Sequence, residues 1–341
     1  MIKQLCKWKK FIILLAIPYV FFLFIFTYRI DYSLTTPGGL TLIEDQVVFD
    51  NQFDNQGSFY TIYVMAIDRP TFFQFGLAYF DKTIETMKLP ESQRGISDEV
   101  NWRSGQIAKD NAWNAAIISS FIALGYEVEY DIQMQVTLIY DYISNKDLDL
   151  GDQIIAVNGN SNIFTEINAV SCNEAATFTV ITVDGVTVEY DIIKQSIDGS
   201  CRFGLSVSQY YNLTYAEIPY EIKPTFTGGP SGGFMQFLHI YNVLTEEDIT
   251  HGYKIAGTGT IRLDGTVGPI GGVTQKVITA HYAGVDILFV PRLNDNNYND
   301  NYQVALRAME LIDTDMKLVG VETWLDAINY LINLGGDPDE L

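Results

Sequence analysis

Three glycine-rich segments divide the C-terminal third of the chain into short elements. They read Thr-Gly-Gly-Pro-Ser-Gly-Gly at 227–233, Ala-Gly-Thr-Gly-Thr at 256–260 and Gly-Thr-Val-Gly-Pro-Ile-Gly-Gly at 265–272. Glycine and proline interrupt regular structure and favour tight turns. Apolar residues at helical spacing follow the first segment up to Leu244 and the third over 273–282. This region is therefore predicted to alternate tight turns with short strands and helices.

Ser231 is the candidate nucleophile in the first segment. It lies at the start of a predicted helix, among backbone amides that have no partner within the helix and can stabilise an oxyanion. A serine at this position is also a common helix cap. Lys276 lies at the edge of the apolar face of the second predicted helix, where it is either a surface lysine or a buried base.

The two candidates are chemically complementary. A serine hydroxyl is a poor nucleophile and needs a base nearby. A buried lysine has a lowered pKa and can take that role when it is neutral. The three histidines, His239, His251 and His281, lie outside the glycine-rich turns and have no carboxylate directly beside them. The sequence therefore does not indicate a Ser-His-Asp triad.

Three motifs in this region resemble those of Lon-type proteolytic domains. They are Gly-Pro-Ser-Gly-Gly at 229–233, Thr-Gly-Thr-Ile at 258–261, and Pro-Ile-Gly-Gly-Val-Thr-Gln-Lys at 269–276. They occur in the family's order and at similar separations. The resemblance implies an α/β Lon-type proteolytic domain at about 206–335.

The same resemblance implies roles for individual residues. Ser231 would be the nucleophile and Lys276 the general base that later returns the proton. Thr258 would be a supporting residue that orients the lysine amine or the serine. Gly232 stands where the family usually has alanine, which is expected to loosen the turn slightly.

A second resemblance covers the preceding region. The run Leu-Asp-Leu-Gly-Asp-Gln-Ile-Ile-Ala-Val-Asn-Gly at 148–159 is similar to the core signature of PDZ domains, and a β-hairpin with an Asp-Gly turn is predicted at 180–190. A PDZ-like β-rich domain is therefore expected at 126–205. PDZ domains bind peptides at a sheet edge, but the usual Gly-Leu-Gly-Phe loop is missing near 126–136. Peptide capture and packing against the next domain both stay open.

The N-terminus carries an uncharged apolar run, Phe11 to Tyr28, of roughly 18 residues, about the length that crosses a hydrocarbon core. Four lysines and no acid precede it, and bulky residues follow it where a signal-peptide cleavage site would need small ones. We therefore expect an uncleaved transmembrane helix at 11–28 and a cytoplasmic tail at 1–10. The protein would be single-pass in the cell membrane, with its bulk extracytoplasmic.

Between the apolar run and the PDZ-like region, residues 36–125 are expected to form an N-terminal α/β region. A β-branched and aromatic run predicts a strand at 58–67, and apolar residues at helical spacing predict a helix at 107–124, ended by Gly125. We see no catalytic signal here. The expected fold class is α+β multidomain, with a transmembrane helix, a PDZ-like domain and a Lon-type domain.

Charge and motif content exclude several function classes. The net charge of −21 disfavours nucleic acid as a partner. No Gly-x-x-x-x-Gly-Lys-Ser/Thr loop occurs in the 341 residues, and the Asp-rich stretches at 147–152 and 294–301 lack the spacing of an EF-hand. No cofactor and no metal are expected. Cys172 and Cys201 lie on one side of the apolar run and form either a disulfide or two free thiols.

Taken together, these features resemble a family of bacterial membrane-anchored peptidases that combine a PDZ domain with a Lon-type proteolytic domain and lack the ATPase module. The resemblance implies an ATP-independent serine endopeptidase that cleaves peptides or unfolded segments outside the cytoplasmic membrane. Polypeptides would be the substrates, and a homo-oligomer is possible because Lon-type domains often form rings. The alternative is a catalytically inactive, membrane-anchored peptide-binding receptor or scaffold.

Overall fold

Two large β-sheets and three two-stranded ones occur in residues 2–334, the part that this computed structural model describes; for residues 2–8, 10, 12 and 13 it describes the backbone only. The first residue of the expected tail and the last of the expected 206–335 domain lie outside the described residues. The helices are α1 (Ile2–Thr27), α2 (Phe72–Phe80), α3 (Asp98–Leu124), α4 (Ile163–Ala169), α5 (Gly233–Val243), α6 (Val273–Tyr282), α7 (Asn301–Met309) and α8 (Trp324–Leu334), with a short 3-10 helix at Glu91–Gln93.

The strands are shorter and more numerous. They are β1 (Tyr32–Leu42), β2 (Val47–Phe49), β3 (Ser58–Asp68), β4 (Glu85–Lys88), β5 (Val128–Ile139), β6 (Gln153–Val157), β7 (Ala175–Ile181), β8 (Thr187–Ile193), β9 (Gln195–Ile197), β10 (Ser200–Arg202), β11 (Leu205–Ala216), β12 (Tyr220–Ile222), β13 (Lys254–Gly257), β14 (Thr260–Ile261), β15 (Val267–Gly268), β16 (Ile287–Pro291) and β17 (Lys317–Val321).

The first sheet has the strand order β17-β16-β13-β3-β1-β4. Strands β17, β16, β13 and β3 are parallel, and β1 and β4 are antiparallel to their neighbours. The sheet therefore joins strands from the expected 36–125 region with strands from the expected Lon-type region. The division of the chain into the expected domains stays a prediction.

Alternation along these strands gives the sheet two apolar faces. Phe59 and Phe289 pack on one face with α3, α5 and α8, whereas Ile62 and Leu288 pack on the other with α6 and α7. Successive side chains of a strand point to opposite faces, so a sheet covered on both sides needs apolar residues at nearly every position. Strand β16 meets this requirement, since Ile287–Pro291 is buried throughout.

The second sheet has the order β11-β5-β6-β7-β8 and packs α4 against its own core. Ala176, Phe178 and Val180 alternate into that core from β7. The predicted hairpin forms between β7 and β8, with a connection over 182–186 that is longer than two residues. Cys172 and Cys201 form a disulfide next to this sheet, which resolves the alternative that the sequence left open. The PDZ-like assignment stays a prediction.

Helix α3 connects the two sheets. Trp113 and Phe121 bury one of its faces against the first core, and Arg103 makes a two-fold hydrogen bond to Asp149 at 2.9 and 3.0 Å on the side of the second sheet. Asn111 binds the backbone of the edge strand β11, donating to Gln209 O at 2.9 Å and accepting from Tyr211 N at 2.8 Å. Side-chain amides thus satisfy backbone groups that an edge strand would leave open.

The expected transmembrane helix at 11–28 is wrong. Residues Ile2–Thr27 do form a helix, but within 2–334 none of the helices has the length and apolar character that crossing a membrane requires. The end of α1 instead packs against α2, with ring centroids 5.7 Å apart for Phe24 and Phe72. The transmembrane part of the expected fold class, the membrane contact through this helix and the single-pass localisation are therefore overturned. The mixed α/β character of the fold is confirmed.

The Asn111 contact gives a stability test. Asn111→Ala removes two hydrogen bonds to β11, each worth about 1 kcal/mol, so we expect the free energy of unfolding to fall by about 2 kcal/mol in urea titrations followed by tryptophan fluorescence. Asn212→Ala is the matched control, because Asn212 makes one exposed side-chain bond to Asp131 and should cost less than about 0.5 kcal/mol. Equal losses in the two variants would contradict this account of the edge.

Candidate active site

Ser231 lies in the tight turn that leads into α5, two residues before the helix begins at Gly233. Its carbonyl oxygen accepts hydrogen bonds from the Gly259 amide at 2.8 Å and from the Thr258 hydroxyl at 3.2 Å. Gly229 adopts a left-handed conformation with φ of 92°, which glycine reaches without steric cost. The turn is thus fixed to the segment that follows β13.

Lys276 approaches the same point from the other face of the sheet. Helix α6 begins after Gly272, whose φ is 66°, and packs Val273 and Val277 into the core. A hydrogen bond of 3.1 Å from the Gly38 amide of β1 to the Thr279 hydroxyl also fixes this helix. The Lys276 side chain is only 3 % exposed, so the helix carries a lysine into the interior of the protein.

The amine of Lys276 joins the three residues singled out in the sequence. Its Nζ lies 2.9 Å from Ser231 Oγ and 2.8 Å from Thr258 Oγ1. None of the ion pairs found in the described part of the chain involves it. Burial lowers the pKa of Lys276 from 10.5 to about 7, because a low-dielectric interior disfavours the charged amine. The catalytic roles of the three residues stay predictions.

This arrangement is chemically able to activate a hydroxyl. With a pKa near 7, a large fraction of the lysine is neutral at neutral pH and can accept the proton of Ser231 Oγ. The amides of Ser231 and Gly232 donate no hydrogen bond to another residue of the described chain, so they are free to bind an oxyanion. Among residues 2–334 no cluster of three or more His, Cys, Asp or Glu suits a metal ion.

The histidines lie elsewhere. His239 is buried within α5, and burial lowers its pKa from 6.5 to about 4. The His251 ring nitrogen is 3.0 Å from the Leu331 carbonyl. No histidine is hydrogen-bonded to Ser231 within the described residues. The structure therefore offers lysine, and not histidine, as the base next to the serine.

Sequence reasoning missed the part of α3 that holds the serine turn. Gly229 N donates to Gly105 O at 2.7 Å, and Gln106 Nε2 donates to Thr227 O at 3.2 Å. Lys109, largely buried, donates to Gln106 Oε1 at 2.6 Å. The sequence carries little signal for these contacts, because other polar residues, such as Arg103 and Asp110, also occur in this part of the helix.

A cleft of about 940 Å³ opens beside these residues and is called the cleft below. Its lining includes Ser231, Lys276, residues 61–66 of β3, the loop 224–229 and Gln236. Strand β13 pairs with β3 only over 58–61, and beyond this point the described strands leave that edge of β3 unpaired. An extended peptide can add to such an edge through backbone hydrogen bonds.

Comparison with known proteins finds a family match in the region that holds the site. Residues 216–322, which include Ser231, Thr258 and Lys276, match the family described as the Lon protease (S16) C-terminal proteolytic domain. A Lon-type proteolytic domain is therefore confirmed in this part of the chain. The family match does not extend to the PDZ-like region at 126–205.

Curated relatives share a region of limited length with this chain. The Lon protease of Campylobacter concisus is 36 % identical over 143 residues, which are 42 % of this chain and 16 % of that protein. Lon protease 2 of Thermus thermophilus is 42 % identical over 127 residues, which are 35 % of this chain and 15 % of that protein. The Lon protease of Desulforamulus reducens is 39 % identical over 119 residues, which are 32 % of this chain and 14 % of that protein. The chain thus spans no more than 16 % of the length of these three relatives.

The lowered pKa of Lys276 gives a stability prediction. Between pH 7 and 10.5 the unfolded chain binds a proton at this lysine that the folded chain does not, so its contribution to the free energy of unfolding rises with pH, by up to about 1.4 kcal/mol per pH unit. Lys276→Met abolishes this contribution. We expect the free energy of unfolding of the wild type, measured by urea unfolding from pH 6 to 10, to rise relative to that of Lys276→Met above pH 7. Parallel curves would show that the amine is not desolvated.

Gly232 gives a second test. Its φ of −91° and ψ of −13° suit alanine, but a Cβ there would lie 2.9 Å from the Thr61 methyl. The glycine at this position is therefore explained by its close contact with β3. We expect Gly232→Ala to cost about 1–3 kcal/mol by overpacking, and Thr61→Ser, which removes the methyl, to restore most of that loss.

The double-mutant cycle of Gly232→Ala and Thr61→Ser in urea unfolding provides the control, since Thr61→Ser alone keeps the hydroxyl. Additive effects would mean that the two side chains do not compete for the same space.

Proposed function

We propose that the chain is a serine endopeptidase in which Ser231 is the nucleophile and Lys276 the general base. The observation that carries the proposal is the 2.9 Å contact between Lys276 Nζ and Ser231 Oγ, made by an amine that is buried and whose pKa is lowered to about 7. The match of residues 216–322 to the Lon protease proteolytic domain supports the same reaction class.

The reaction follows from these contacts. Neutral Lys276 takes the proton from Ser231 Oγ, which attacks the scissile carbonyl carbon. The amides of Ser231 and Gly232 stabilise the oxyanion of the tetrahedral intermediate. The lysine ammonium then gives the proton to the leaving amine, and the peptide bond breaks. Water, deprotonated by the lysine, releases the acyl group from Ser231 in the second half.

Thr258 supports the base. Its hydroxyl donates to the Ser231 carbonyl at 3.2 Å and accepts from Lys276 Nζ at 2.8 Å. With its own proton directed to that carbonyl, the Thr258 oxygen presents a lone pair to the amine and keeps the amine near Ser231 Oγ. Thr258 is 1 % exposed, which keeps water from taking its place.

The cleft suits a polypeptide substrate in an extended conformation. An added strand along the unpaired edge of β3 would bring a peptide bond to Ser231. An unfolded segment or a free peptide can adopt this conformation. No phosphate-binding loop occurs in the 341 residues, so we propose that this cleavage needs no ATP. Residues 126–205 would be a PDZ-like domain packed against α3 through Arg103 and Asp149.

An inactive receptor is the weaker alternative. A scaffold has no use for a buried lysine, which is costly to desolvate, directed at a serine hydroxyl with a threonine behind it. The contacts of Lys276 therefore favour an enzyme.

Activity measurements test the proposal. Ser231→Ala and Lys276→Met should each lower kcat/KM on unfolded casein by at least about 10³-fold, measured without ATP. In the wild type, log(kcat/KM) should rise with pH up to about 7, where the lysine becomes neutral, and then level off.

Ser171→Ala and Lys317→Met are the controls, since both side chains are exposed and away from the cleft; they should keep wild-type rates. Undiminished cleavage in Ser231→Ala would sink the proposal.

A further inference from the structure

The carboxamide of Gln236 is a polar group in the cleft that the proposed mechanism does not use. Gln236 lies on α5, five residues after Ser231, and is 3 % exposed. Its Oε1 is buried without a hydrogen-bond partner in the described chain, and its Nε2 makes no hydrogen bond there either. It nevertheless lines the cleft together with Ser231.

This carboxamide is costly in the free protein. A buried amide oxygen without a partner costs about 1–3 kcal/mol, and a methionine or leucine of similar size would avoid that cost. The neighbouring residues along α5, Phe234, Met235, Phe237 and Leu238, are all apolar and fully buried. Packing alone therefore does not account for a glutamine here.

The position of the carboxamide relates it to the scissile bond. Gln236 Nε2 lies 3.6 Å from the point that a Cβ on Gly232 would occupy, and Gly232 is the residue that follows Ser231. Thr41, Gln46 and Thr61 line the cleft as well, and none of its lining residues is an aspartate or glutamate. The lining is thus mixed, with apolar residues such as Leu40 and Phe226 beside these polar groups, and it holds no carboxylate to match a basic substrate side chain.

We infer that Gln236 is a specificity-determining residue, and that it binds an uncharged carboxamide side chain, Asn or Gln, next to the scissile bond of the substrate. Two carboxamides pair reciprocally, because each offers an N–H donor and a C=O acceptor. Leucine or methionine would leave Oε1 unpaired, a carboxylate has no proton to donate to it, and an ammonium cannot accept from Nε2. This inference rests on the proposed function and names the substrate class of the same site.

The test compares kcat/KM within a series of quenched fluorescent peptides. The peptides differ only at the residues flanking the cleaved bond, where each peptide carries Gln, Asn, Met, Leu, Glu or Lys. The full chain should cleave the Gln and Asn peptides at least about tenfold better than the Met and Leu peptides. Gln236→Met should reduce this ratio to about one. Gln236→Glu should move the preference to Lys, because a carboxylate then faces the substrate side chain.

Gln275→Met is the matched control. Gln275 is also a buried glutamine with an unpaired Oε1, but its Nε2 binds Thr83 O at 3.0 Å and it does not line the cleft. Its substitution should leave the ratio of Gln to Met cleavage unchanged, whatever it does to stability.

The outcomes separate the two claims. Peptide cleavage that persists in Ser231→Ala would overturn the proposed function. Cleavage that Ser231→Ala abolishes, with the same Gln-to-Met ratio in wild type and Gln236→Met, would overturn the inference alone. If Gln236→Met does not fold, Gln236→Glu decides, since a gain for the Lys peptide supports the inference and an unchanged preference contradicts it.

Discussion

The burial of one amine, Lys276 Nζ, is the constraint on which the site depends. In water a lysine is almost always charged and cannot accept a proton. Here α6 packs into the core layer on one face of the first sheet, and the only hydrogen-bond partners found for Nζ in the described chain are two hydroxyls. Much of the fold around α6 can be understood as the means of keeping water and carboxylates away from this atom.

The backbone meets this constraint by bringing three separate turns to one end of the sheet. Strand β13 ends at Gly257, the next two residues bind the Ser231 carbonyl, and α6 approaches from the opposite face. Strand β3 continues past the end of β13 and forms a wall of the cleft. Catalytic geometry and substrate access therefore arise from the same difference in strand length.

The sequence predicts the site far better than it predicts the surroundings. The sequence identifies the glycine-rich turns, Ser231, Thr258 and Lys276, because short local motifs reflect the backbone conformation that these positions require. The contacts of Gly105 and Gln106 with the serine turn are non-local and leave little trace in the sequence. The apolar run at 11–28 led to a wrong prediction, because hydropathy does not show which aromatic rings of the run pack against α2. The free Oε1 of Gln236 is visible only once its neighbours in space are known.

Helix α3 has a consequence for motion. The same rod, about 40 Å long at 1.5 Å per residue, holds the edge of the second sheet through Asn111 and the serine turn through Gly105 and Gln106. A displacement of the second sheet that carries α3 with it strains the hydrogen bonds between α3 and the serine turn. Any ligand that moves the second sheet would thus be thermodynamically linked to the serine turn, and by reciprocity occupancy of the cleft would alter the affinity for that ligand.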